Sequence, residues 1–192
     1  MPHIPLQEHL PGIRGLVAFR PETGRPLYDL AEALLVGESP LSRAERETIA
    51  AFVSSRNECV FCTSSHAAAA RHLHGENAHV VDAVLADYRS APISDKLKAL
   101  LTIAARVRDG GGRVVTDEHI AEARRHGATD RELHDTVLIA AAFSMFNRYV
   151  DGLASFTPSD PAVYKEMGRR MAEQGYAGRL SQIINGPSGD GR

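Results

Sequence analysis

The sequence predicts an all-α fold, and three observations carry that prediction. Apolar residues recur at helical spacing along most of the chain, no segment alternates apolar and polar positions over the length of a strand, and capping-box patterns stand ahead of apolar runs. Taken in order, Pro26 fits a first helical turn, Leu27, Leu30, Leu34 and Leu35 form a buried face, and Gly37 stops the helix. Ser42 with Glu45 caps a helix that carries Ile49, Phe52 and Val53 towards Ser55. A helix from near Cys59 runs through the alanine-rich residues 67–70 to Gly75, and Asn77 is the expected cap of the next, with Val81, Val84 and Leu85 inward.

Ser94 opens a helix with Leu97, Leu100, Leu101 and Ala104 on one side, broken by the glycines at 110–112. Thr116 and residues 118–126 give a short helix closed by Gly127. The longest pattern starts at Thr129, caps with Glu132 and carries Val137, Leu138, Ala141, Ala142 and Met145 before Gly152, which predicts a central helix. From Ser159 the chain is helical and more polar. A single domain over residues 1–185 is expected, with 186–192 (GPSGDGR) as a flexible tail. Ser42 to Ser55 also resembles Thr129 to Ser144, an echo of two related helical hairpins that sets Glu47, Cys59 and Cys62 opposite His134, Phe146 and Tyr149.

Composition narrows the function classes. Apolar residues make up 43% and charged residues 24% of the 192, as in ordinary globular proteins. A net charge of -2 gives no footprint for nucleic acid or an anionic membrane. The prolines and charges of MPHIPLQEHLPGIRG argue against a signal peptide, and no apolar run reaches spanning length, so a cytoplasmic location is expected. No nucleotide, haem or flavin motif occurs, and no bound cofactor or metal is expected.

The two cysteines, Cys59 and Cys62, are too close to staple a fold usefully, so the pair reads as chemical. With His66 they share one helix face, which aligns two thiols and a base. A helix start near Cys59 favours thiolate there, the imidazole can take a thiol proton, and the second thiol can close a disulfide on an oxidised first one. A lone C-x-x-C can also be half a zinc site, although zinc normally takes four ligands and no second such pair is present.

RETIAAFVSSRNECVFCTSSHAAAAR therefore resembles the alkylhydroperoxidase D-like members of the carboxymuconolactone decarboxylase superfamily, in particular its peroxidase-related branch. The pattern is a glutamate twelve positions before the cysteine pair and a histidine four after it, met by Glu47, Cys59, Cys62 and His66. LSRAERETIAAFVSSRNEC and LPGIRGLVAFRPETGRPL extend the likeness over most of residues 10–155. The resemblance implies an all-α homo-oligomer that reduces a hydroperoxide, with Cys62 attacking, Cys59 resolving as a Cys59–Cys62 disulfide, His66 and Glu47 relaying the proton, and an external dithiol or protein reductant restoring the thiols. Helix-start reasoning alone instead favours Cys59 as the more acidic thiol. Some members carry a histidine directly before the second cysteine, where this chain has Phe61.

Other readings stand beside this one: a disulfide oxidoreductase or redox sensor without peroxidase turnover, a zinc-binding or structural oligomer, and decarboxylation of a lactone acid, which two thiols do not suit. His72, His74 and His79 read as partners of a helix C-terminus, His134 as a hydrogen-bonded core histidine, and Phe143, Met145, Phe146 and Tyr149 as core or subunit interface rather than a pocket. Arg124, Arg125, Arg169 and Arg170 read as solvated faces.

Overall fold

Side chains at the helix starts mark out much of the architecture. In the computed structural model, which describes residues 1–110, 112–178, 180 and 183, there are nine α-helices and no strand among the described residues. They are α1 (Ile13–Phe19), α2 (Pro21–Leu35), α3 (Arg43–Arg56), α4 (Val60–His74), α5 (His79–Asp87), α6 (Asp95–Gly110), α7 (Asp117–Arg125), α8 (Asp130–Gly152) and α9 (Pro161–Gln174). The expected tail at 186–192 and the domain boundary at 185 lie outside the described residues.

Both glutamate capping boxes form. Ser42 Oγ accepts from Glu45 N at 3.2 Å while Glu45 Oε2 accepts from Ser42 N at 2.8 Å, and Thr129 and Glu132 repeat the exchange at 3.2 and 2.7 Å. Ser94 accepts from Leu97 N ahead of α6, and Asp160 caps α9 with Pro161 in its first turn.

Two expected starts are corrected. Helix α2 begins at Pro21, so Pro26 lies inside it. Pro21 already supplies the missing N–H that a first turn tolerates, and the helix carries the second proline at the loss of one backbone bond. Ahead of α2, the proline- and glycine-rich entry itself holds α1. Asn77 sits in a 3₁₀ turn (Gly75–Asn77), and Ala78 takes the N-cap of α5 without a side-chain bond.

Helix α8 is the longest, yet α3 is the hub: it packs against α2, α4, α5, α6 and α8, and residues 46–54 are buried without interruption. Arg46 within that run gives Nη1 to the carbonyls of Leu34 at 3.0 Å and Gly37 at 2.7 Å, satisfying the end of α2. Ile49, Leu100, Leu101, Ile103, Ile139 and Phe143 fill the core.

Helix α9 lies across α4 at backbone distance. A Cβ added at Gly168 would stand 2.5 Å from the Ala68 carbonyl carbon and 2.6 Å from the Ala69 nitrogen, atoms that cannot step aside. Gly→Ala inside a helix ordinarily stabilises by about 0.5–1 kcal/mol, whereas Gly168→Ala should destabilise by about 1–3 kcal/mol through overpacking. Urea unfolding of the two chains decides it, and a variant as stable as the parent would contradict the close crossing.

Candidate active site

The turn between α3 and α4 places the first cysteine. Helix α3 ends in a paired motif: Cys59 N donates to Ser54 O at 3.1 Å and Glu58 N to Ser55 O at 2.9 Å, with Glu58 at φ 60°. This is a Schellman closure with glutamate where glycine is usual. Cys59 ends that motif and is at the same time the N-cap of α4, so both helices set its backbone. A polar chain braces the turn: Arg108 Nε donates to Asn57 Oδ1 at 3.0 Å, Asn57 Nδ2 to Asn147 Oδ1 at 2.8 Å, and Asn147 Nδ2 to Ser54 Oγ at 3.0 Å.

In the first two turns of α4, Cys62 and His66 line a cavity of about 60 Å³ with Phe61, Phe143, Phe146 and Tyr176. Cys59 is fully buried and is not part of that lining. His66 Nδ1 meets Glu47 Oε2 from α3 at 2.7 Å, and Glu47 is 1% exposed. A buried carboxylate accepts, so Nδ1 carries the ring proton and Nε2 is the basic nitrogen. The Phe143 ring stands edge-on to His66 at 4.6 Å.

The four residues expected at the site are thus neighbours, with unequal positions. Cys62, His66 and Glu47 form a cavity wall and its support, and Cys59 stands behind them. The expectation that the helix start makes Cys59 the more acidic thiol is corrected: its hydrogen bond with Cys62, followed by burial, pushes the Cys59 thiol far above the ordinary thiol range. A dipole at the helix start is outweighed by the neighbouring Cys62 sulfur and by burial. Both cysteines are free thiols in this structure.

Other expectations shift. His134 neither reaches the site nor joins the core: its side chain is 63% exposed and pairs with Asp135 at 3.0 Å. Phe143 and Phe146 are buried, as expected of core residues, but they also face His66 in the cavity. His72 lies 3.6 Å from Glu173, and His74 Nε2 meets Thr48 Oγ1 at 3.1 Å, away from the cysteines. Among the described residues no cluster of His, Cys, Asp and Glu has metal-site geometry.

Sequence reading missed Tyr176. Its hydroxyl donates to Glu47 Oε1 at 2.6 Å and stands 3.4 Å from His66 Nδ1, with the two rings stacked at 16°. The signal was an isolated tyrosine 129 positions from its partner, which no local pattern picks out.

The sequence model of the carboxymuconolactone decarboxylase family matches residues 21–90 and 77–157. The chain belongs to that family. Among solved structures, a peroxidase-related protein of Silicibacter sp. is 30% identical with a TM-score of 0.73, covering 83% of this chain and 81% of that one. A peroxidase-related protein of Ralstonia eutropha, described as an alkylhydroperoxidase AhpD core, is 28% identical with the same TM-score and coverage. A protein from Agrobacterium tumefaciens, at 21% identity and TM-score 0.63 over 76% of this chain and 97% of its own, shares the fold. None of the curated proteins matches the chain. The chain is accordingly an alkylhydroperoxidase D-like member of the carboxymuconolactone decarboxylase superfamily. No helix among the described residues is long and apolar enough to cross a membrane.

This geometry makes two measurements decisive. With its thiol held protonated at neutral pH, Cys59 should alkylate slowly and Cys62 first; Cys62→Ala, which removes the first cause of the shift, should make Cys59 react faster at the same pH. Peptide-resolved mass spectrometry reads both rates, and prior labelling of Cys59 in the parent would contradict the assignment. Glu58→Gly should stabilise by about 0.5–1 kcal/mol, because relief of the left-handed backbone exceeds the added chain entropy. A loss of stability in denaturant unfolding would show that the glutamate side chain contributes more than its backbone costs.

Proposed function

We propose that this protein reduces small hydroperoxides with its cysteine pair, Cys62 attacking and Cys59 resolving. One observation carries the reading: Cys62 shares a mainly apolar cavity with a histidine whose other nitrogen is committed to a buried carboxylate. A space of about 60 Å³ fits a few water-sized groups, which suits a small peroxide.

His66 Nε2 takes the Cys62 proton, and the sulfur attacks the outer peroxide oxygen. The O–O bond breaks, two electrons leave sulfur, the alkoxide takes the proton from His66, and the products are an alcohol and a Cys62 sulfenic acid. Cys59 then attacks the Cys62 sulfur. The S–O bond breaks, hydroxide leaves with the Cys59 proton as water, and a Cys59–Cys62 disulfide remains. Burial of Cys59 suits this second role, since a protonated thiol does not compete for peroxide. An external dithiol, or a protein that carries one, returns both thiols by exchange, as the reducing conditions of the cytoplasm allow. Phe61, where some relatives have a second histidine, leaves His66 as the proton carrier at the cavity.

The reading includes a homo-oligomer. Phe143 and Phe146 are covered within the chain itself, so the apolar side chains left for a subunit contact include Val60, Leu138 and Met145. Light scattering at micromolar concentration should give a multiple of 20.8 kDa.

Hydroperoxide consumption with a panel of dithiol reductants tests the chemistry. The parent should turn over, Cys62→Ser should lose roughly a hundredfold or more, and alkylation after peroxide should find both thiols of each parent chain gone without cross-linking between chains. A parent that consumes peroxide no faster than its Cys62→Ser variant, while its bridge is readily reduced, would instead identify a disulfide oxidoreductase or redox sensor.

A further inference from the structure

We infer that Tyr176 is a positioning residue for the His66–Glu47 pair, delivered to it by a carboxylate clamp on α2. The inference rests on the reading of His66 as the proton carrier for Cys62. The Tyr176 hydroxyl holds Glu47 Oε1 at 2.6 Å while His66 Nδ1 holds Oε2 at 2.7 Å, so the carboxylate cannot turn without losing a donor. The tyrosine ring runs nearly parallel to the imidazole, at 16° with centroids 6.2 Å apart, and its hydroxyl stands 3.4 Å from His66 Nδ1.

The main chain on either side explains how a residue beyond α9 arrives there. Glu32 Oε2 accepts from Tyr176 N at 2.6 Å and from Ala177 N at 3.0 Å. Gly175, at φ 68°, turns the chain out of α9, and a Cβ there would stand 2.7 Å from Glu32 Oε2, so the glycine also leaves room for the clamp. Burial, and next the Glu47 charge, raise the phenol well above the usual tyrosine range, which keeps it a donor through neutral and moderately alkaline pH. The residues matched by the family model end at 157, so this contribution comes from outside the matched segment.

Tyr176→Phe keeps the ring and removes the hydroxyl, and Tyr176→Leu removes both. With one donor fewer, Glu47 accepts more strongly from the ring, so the Nδ1 proton resonance of His66, read by NMR on protein with nitrogen-labelled histidine, should move downfield in Tyr176→Phe. Hydroperoxide consumption should fall roughly ten- to a hundredfold, the scale of one hydrogen bond to a charged group. Glu32→Ala, which frees the turn at 175–177, should move the same resonance in the same direction. An unmoved resonance in Tyr176→Phe overturns the inference, as does parental turnover in the Phe variant with loss only in the Leu variant, which would leave ring packing as the whole contribution. The resonance is read on the resting protein, so it decides the role of Tyr176 even if the parent consumes no hydroperoxide, an outcome that counts against the proposed function alone.

Discussion

Burying the carboxylate of Glu47 is the constraint around which this protein is arranged. A carboxyl group withdrawn from water is costly unless its oxygens are hydrogen-bonded, and a hydrogen bond to a charged group contributes about 1.5–3 kcal/mol. Glu47 meets the requirement with two donors from separate parts of the chain, His66 on α4 and Tyr176 beyond α9. Each donor ties an element to α3: the pairing seats α4 against the hub helix, and α9, crossing α4 at Gly168, brings the chain end round to the same oxygen pair. The polar centre thus fixes the relative placement of helices that apolar packing alone would hold less specifically.

A second constraint acts on the cysteines. Cys59 closes α3 and opens α4, and the bracing chain of Arg108, Asn57, Asn147 and Ser54 connects α6 and α8 to that turn. The left-handed backbone at Glu58 is tolerated because both flanking N–H groups are satisfied. The chemical result is an asymmetric pair. One sulfur is sealed in the interior and kept protonated, and the other faces a cavity beside a base.

Much of this was legible in the sequence because the signals are local. Capping boxes at Ser42 and Thr129 and the caps at Ser94 and near Ser159 work through atoms a few residues apart, and the Glu47, Cys59, Cys62 and His66 spacing places four groups on two consecutive helices. Pro26 was misread because a proline tolerated inside a helix looks like one that begins it, and Pro21, five positions earlier, held the real start. A histidine on a central helix reads as a hydrogen-bonded core residue, but Asp135 beside His134 is the residue that turns inward, drawn by Ser39 Oγ at 2.6 Å. Tyr176 and the acidity of Cys59 were out of reach for a shared reason. Both depend on what surrounds a group from all sides after folding, and nothing in the neighbouring residues encodes it.

The double duty of Cys59 also bears on how this chain can vary in length. In most proteins a surface turn between helices absorbs insertions readily. Here the turn has no spare residue, since the last closure of α3 and the first position of α4 fall on the same amino acid. Adding or removing one residue within α4 between Cys62 and His66 would rotate everything beyond by about 100° and take the imidazole off Glu47. One residue gained or lost between Glu47 and Cys59 would displace the sulfurs from the turn that seats them. Drift among descendants of this sequence should therefore run through substitution along residues 47–66 and leave gaps to other connections, such as residues 88–94 between α5 and α6.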